Sequence, residues 1–204
     1  MNDDVVTKTG TTTVGLATSE GVVLAADRRA SLGGRFVSNK QAMKIEQVHP
    51  RAAVTMAGSV GGAQAFIRQL RASANLYEAR RGEPMDVDAL AQTAGQLLRG
   101  MPASPVLGGV DADGEARVFS IDGAGGVLED AYSASGSGMT LATGALERLY
   151  RDDLTLEEGV EVAAEAVDSA LERDTASGNG ITVARITADG VNIDTYDDVT
   201  EALA

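Results

Sequence analysis

A chain of 204 residues that is 44% apolar and 23% charged is long enough for one domain with a sizeable core, and at 3% aromatic content that core must be built from Ala, Val, Leu and Ile. The net charge of -13 repels nucleic acid and anionic lipid, zero Cys excludes disulfides, thiol chemistry and Cys-type zinc sites, and a single His argues against a histidine metal centre. No metal or cofactor is expected, no apolar run is long enough to span a bilayer, and residues 1–10 lack the basic and apolar parts of a secretory signal. The expectation is a cytoplasmic protein, with an acidity that suits a salt-rich cytoplasm, whose short polar stretch over residues 1–10 reads as a flexible tail or a removable leader.

Residues 11–18 alternate and residues 22–27 form a dense apolar run; Thr18-Ser19-Glu20-Gly21 between them is turn chemistry, so the start predicts a β-hairpin. Residues 28–40 are polar and contain Gly33-Gly34, which predicts a loop with a short strand at Phe36-Val37. Residues 43–48 and 52–57 predict a second hairpin turning at His49-Pro50. The period then changes. Ala63, Phe66, Ile67, Leu70, Ala74 and Tyr77 recur at helical spacing behind a possible cap at Ser59, and Arg80-Arg81-Gly82 stops the run. Asp86 opens a second helix that ends at Arg99-Gly100.

Strand signals return at 106–110, 116–121 and 127–134. Two more helices follow, one after Ser135-Gly136-Ser137-Gly138 and one from the capping box Thr155-Leu156-Glu157-Glu158. Residues 181–186 and 191–195 predict a last hairpin, and the acidic tail from Asp197 is expected to fray. The matching turns at 18–21 and 187–190 hint that the first and last hairpins are neighbours. Strands and helix pairs in segregated runs argue for an α+β fold of two antiparallel sheets face to face, with a helix pair outside each. That is a four-layer αββα sandwich.

The chemistry on offer is narrow. No Ser sits in a G-x-S-x-G elbow, no G-x-x-x-x-G-K-[ST] phosphate loop is present, and Asp111-Ala112-Asp113-Gly114 lacks the later ligands of a calcium loop. What remains is a nucleophile that needs no His. Thr9-Gly10-Thr11-Thr12-Thr13-Val14-Gly15 reads as a plain β-strand or as a cleavage point. Cutting the Gly10–Thr11 bond would give Thr11 a free α-amine, with a pKa of about 8, beside its own hydroxyl. A Lys held by a carboxylate would complete such a site. Asp27 closes the second strand and Lys44 opens the third, so both converge under Thr11 if those strands flank the first; on their own they read more often as a surface pair.

Six motifs in order carry a resemblance. They are Thr11-Thr12-Thr13-Val14-Gly15, Val22-Val23-Leu24-Ala25-Ala26-Asp27-Arg28-Arg29, Lys44, Met56-Ala57-Gly58-Ser59, Ser135-Gly136-Ser137-Gly138 and Arg173-Asp174-Thr175-Ala176-Ser177-Gly178-Asn179-Gly180. Over residues 8–196 the chain resembles the β-subunits of the proteasome core particle, most of all the archaeal type. The resemblance implies the sandwich of the N-terminal nucleophile (Ntn) hydrolases, with residues 1–10 a propeptide cut autocatalytically at Gly10–Thr11 and residues 11–204 one domain. It implies a threonine-type endopeptidase in which Thr11 is the nucleophile, Asp27 orients Lys44, and the Gly58 N–H supplies the oxyanion hole. Ser137, Asp174 and Ser177 match the residues that orient the Thr amine. Thr12 and Thr13 are left as strand residues.

With the same warrant, Ala30, Ala42, Glu46, Met56, Val60 and Gln64 match the lining of the pocket that receives the substrate side chain. Met56 and Val60 suggest a chymotrypsin-like preference for large apolar residues, and Glu46 at the edge would admit some basic ones. The implied partners are other β-subunits in a seven-membered ring, α-subunit rings, an AAA ATPase unfoldase acting through the α-ring, and unfolded polypeptides. Two readings compete: an inactive ring subunit, which the retained Thr11, Asp27 and Lys44 oppose, and the simpler bacterial two-ring protease of the same superfamily, which the Ser135–Gly138 and Asp174–Gly178 motifs oppose.

Overall fold

A computed structural model of the chain describes residues 10–203, so of the expected leader only Gly10 falls within it. One five-stranded sheet has the order β10 (Tyr132–Gly136), β1 (Thr12–Thr18), β2 (Gly21–Asp27), β11 (Ile181–Thr187), β12 (Gly190–Tyr196), and every pairing in it is antiparallel. The other runs β5 (Ile45–His49), β6 (Ala52–Thr55), β7 (Val106–Val110), β8 (Ala116–Ile121), β9 (Val127–Glu129), also antiparallel. Helices α1 (Val60–Arg81) and α2 (Val87–Leu98) cover the second sheet; α3 (Met139–Leu149) and α4 (Leu156–Leu171) cover the first. The expected αββα sandwich is therefore the observed one.

Strand alternation sorts the side chains into three cores. In β1 and β2, Val14, Leu16, Val23 and Ala25 face α3 and α4. Val22, Leu24 and Ala26 face the opposite sheet, where they meet Ile45, Ala53, Val106 and Val118. With residues buried on both faces, β2 reads as a continuous apolar run, and all seven of its residues are buried. A third core of Phe66, Ile67, Leu70, Leu90 and Leu98 lies under α1 and α2. The Thr155–Glu158 capping box is present in both directions and fixes the start of α4. Ser59 stands at the N-cap position of α1 but makes no side-chain cap bond.

Four expectations need correction. Residues 127–134 are not one strand: β9 ends at Glu129 in the second sheet, and β10 begins at Tyr132 in the first. The chain crosses between sheets at Asp130-Ala131, a change of layer that leaves no mark on the apolar pattern. Residues 28–40 hold a small hairpin, β3 (Ala30–Leu32) and β4 (Phe36–Asn39), where a loop with one short strand was expected. The tail does not fray from Asp197, because Asp198 accepts from Thr200 N and Val199 is buried, which starts the short helix α5 (Val199–Ala202). Finally, β2 does flank β1, but Lys44 precedes β5 in the opposite sheet, so it reaches Thr11 across the sandwich. The first and last hairpins are neighbours, β2 pairing with β11 from Val22↔Ile186 to Asp27↔Ile181.

Candidate active site

The alternation of β1 continues back to Thr11, which shares a parity with Thr13 and Gly15 and so looks into the gap between the sheets. Thr13 marks that face: its Oγ1 accepts from Thr55 Oγ1 of β6 at 3.2 Å, and Thr55 Oγ1 accepts from Val106 N at 2.9 Å. At the open end of the gap, Thr11 meets Asp27 and Lys44. Lys44 Nζ donates to Thr11 Oγ1 at 2.6 Å and to Asp27 Oδ1 at 2.6 Å, and Thr11 Oγ1 donates to Asp27 Oδ1 at 3.0 Å.

Asp27 is held from both sides of β2. Its Oδ1 also accepts from Thr12 N at 2.9 Å, and its Oδ2 accepts from Arg29 N at 3.0 Å and Gly178 N at 2.9 Å. This follows from the register: Asp27 closes β2 one residue past the Thr13↔Ala26 pair and lies opposite Ile181, where β11 begins. All three residues are buried, Asp27 completely. Burial pushes the Lys44 ammonium below the usual lysine pKa; the adjacent Asp27 carboxylate works in the opposite direction without cancelling it.

A second cluster sits on the other side of Thr11, where its N, a peptide nitrogen in this chain, donates to Ser137 Oγ at 3.1 Å. Ser137 Oγ donates to Asp174 Oδ2 at 2.5 Å, and Ser177 Oγ donates to the same oxygen at 2.6 Å. Because Ser177 has one proton and gives it to Asp174, it must accept from Thr12 Oγ1 at 2.8 Å. Thr12 is therefore not a mere strand residue, as the sequence had it: its amide holds Asp27 and its hydroxyl holds Ser177.

The two glycines at the site are explained by close approach. A Cβ on Gly10 would run into Ala176 Cβ and reach 2.9 Å from Ser137 Oγ, so only Gly brings the Gly10–Thr11 peptide this close to the cluster. Gly58 has φ +111°, which a side chain would strain, and a Cβ there would run into Pro102 O.

A cavity of about 390 Å³ opens beside Thr11. Thr11, Lys44 and Gly58 line it, together with Ala30, Ala42, Glu46, Met56, Val60 and Gln64, the six pocket positions picked out in the sequence. Some neighbours were missed. Gly10 N donates to the buried Ser31 Oγ at 3.3 Å, and Arg29 binds Asn179 Oδ1 at 2.9 Å and Thr175 O at 3.0 Å, bracing the 174–180 loop. Asn179 itself sits at φ +66°. A Ser in a short strand carries no sequence signal for such a role; the Arg28-Arg29 pair at the end of an apolar run was a usable one.

A family model described as "Proteasome subunit" matches residues 7–186. The chain belongs to the proteasome subunit family. A "Proteasome subunit beta" of Halorhabdus utahensis is 60% identical over 201 residues, 97% of this chain and 86% of that protein. One of Halomicrobium mukohataei is 61% identical over 198 residues, 96% of this chain and 83% of the relative. "Proteasome subunit beta 1" of Haloarcula marismortui is 59% identical over 200 residues, 97% of this chain and 83% of its own length. The chain is thus a β-type proteasome subunit, a threonine-type endopeptidase that assembles with other subunits into a proteolytic core particle. No helix among the described residues is long and apolar enough to cross a membrane.

Proposed function

We propose that Thr11 is the nucleophile, first for release of residues 1–10 and then for cleavage of unfolded polypeptides. The observation that carries this is the contact of Lys44 Nζ with both Thr11 Oγ1 and Asp27 Oδ1 at 2.6 Å in a buried setting. In the precursor, Thr11 Oγ attacks the Gly10 carbonyl carbon. The C–O bond forms as the C–N bond breaks, the proton of Oγ ends on the departing nitrogen, and water hydrolyses the resulting ester to free the amine. Lys44 lies where it can relay that proton, and its lowered pKa favours the neutral form that accepts one.

In the mature subunit the Thr11 amine takes the hydroxyl proton as Oγ attacks a substrate carbonyl. The nitrogen of the leaving peptide takes the proton, an ester forms on Thr11, and water cleaves it. Asp27 holds Lys44. Ser137, with Asp174 and Ser177 behind it, orients the amine. The Gly58 N–H, on the rim of the same cavity, is assigned to the oxyanion, a donor typically worth about 3 kcal/mol of barrier.

The cavity is assigned to the substrate side chain preceding the cut bond. Ala30, Ala42, Met56 and Val60 give it a mainly apolar wall, which favours large apolar residues. The working setting is a cytoplasmic particle of β-rings of seven between α-rings, fed by an AAA ATPase. The test is Thr11→Ala in the assembled particle. Peptidase activity and propeptide release are both expected to fall to background; activity that persists refutes the assignment.

A further inference from the structure

Glu46, on β5, is the one carboxylate among the described residues lining the cavity, and it is not left to the substrate. Arg71 of α1 donates from Nη2 to Glu46 Oε2 at 3.0 Å. Arg71 is anchored independently of that contact. Its Nε donates to Gln47 O at 3.0 Å and its Nη2 to the same oxygen at 2.6 Å. Arg71 lies outside the cavity, in the groove on the far side of the Glu46 wall. The other charged side chain facing the cavity, Lys44, is engaged with Thr11 and Asp27.

We propose that Arg71 is a positioning residue for specificity: pinned to the β5 backbone, it holds and neutralises Glu46, so the pocket wall does not recruit basic substrate side chains. A guanidinium fixed by backbone acceptors costs little further entropy when it pairs, so the pair persists although both side chains are about two-fifths exposed, at 43% and 41%. The fold thereby keeps an apolar pocket that nevertheless contains a carboxylate. This reading runs against the expectation that Glu46 admits basic residues, and the two differ in the outcome of the test below. The inference rests on the assignment of the cavity to the substrate side chain.

The test uses the assembled particle and two fluorogenic peptides that differ only in Leu or Arg before the cut bond. Arg71→Met is expected to raise the Arg-to-Leu ratio of kcat/KM about fivefold at the lowest salt that preserves assembly, the span of a half-exposed charge pair. The gain should appear in KM for the Arg peptide, shrink as salt is added, and vanish in the Arg71→Met, Glu46→Gln double variant. Arg71→Lys should restore the parent ratio in part. Arg71→Gln repeats the measurement with a donor to Gln47 O retained, should the Met variant fail to assemble. A ratio unmoved by loss of the Arg71 charge, with Leu cleavage intact, overturns this inference alone. A rise that survives Glu46→Gln overturns it too. A parent particle that already prefers the Arg peptide overturns both the inference and the apolar preference proposed for the pocket.

Discussion

Lys44 donates to Thr11 and Asp27 from a position that water scarcely reaches, and the same burial lowers its pKa. The sign of the consequence follows from linkage. The unfolded chain holds this proton more tightly than the folded one, so the Lys44 contribution to stability grows as pH rises between the lowered pKa and the ordinary 10.5. In the proposed mechanism propeptide release uses the neutral amine, so its rate should rise with pH and level off below the usual lysine range. Lys44→Met should remove that dependence and slow release by about 10²–10⁴-fold, the usual worth of a positioned acid–base group. A wild-type rate that keeps rising through the usual lysine range, or an unchanged pH profile in Lys44→Met, would contradict this role. Ser177→Ala is milder. It leaves Thr12 Oγ1 without its acceptor and Asp174 Oδ2 with one donor fewer, at a cost of about 1–3 kcal/mol. Peptidase kcat/KM is expected to fall about 10–100-fold with the particle intact, as read by single-turnover kinetics on purified assemblies.

At the scale of elements, the strands and helices that bury one clear face were legible. Strands β7 and β8 coincide with the apolar runs at 106–110 and 116–121, and α4 begins where its capping box says. The layer change between β9 and β10, the β3–β4 hairpin and α5 were not legible. Each depends on what a short segment packs against, such as the single buried Val199 of α5, and not on its own period. Thr11, Asp27 and Lys44 stood out as residue types at element ends, but only the ordered motifs joined them into a candidate site. That Lys44 arrives from the opposite sheet and that Thr12 joins the network needed the third dimension.

The gap between the sheets explains several glycines in the same terms. A Cβ at Gly15 would come within 2.7 Å of Leu24 Cδ2 and 2.8 Å of Val106 Cγ1. Gly15→Val should therefore push the sheets apart beside the site at a cost of about 1–3 kcal/mol. The expected result is a lower thermal midpoint together with slower propeptide release. An unchanged midpoint would show that the sheets tolerate the extra volume.

For the whole molecule, the net charge of -13 opposes both compactness and the packing of like subunits. The ion pairs are mostly at the surface, where Arg117, Arg151 and Arg185 each meet two or more acidic partners, and such pairs contribute little individually. Salt that screens the repulsion should stabilise the particle, since exposed charges farther apart than about 8 Å interact weakly at physiological ionic strength and less still above it. The assembled fraction by analytical ultracentrifugation should rise with salt; an assembly insensitive to salt from 0.1 to several molar would remove charge repulsion from the account.

All of the proposed chemistry turns on one covalent event at the Gly10–Thr11 bond, which the fold presses against Ala176 and Ser137. The most direct measurement is the intact mass of the β chain in the purified, peptidase-active particle. A chain that begins at Thr11, with the Thr11→Ala particle retaining residues 1–10, is the predicted result. An active particle whose chain still carries residues 1–10 would contradict the account, because its threonine would then have no free amine to accept the proton.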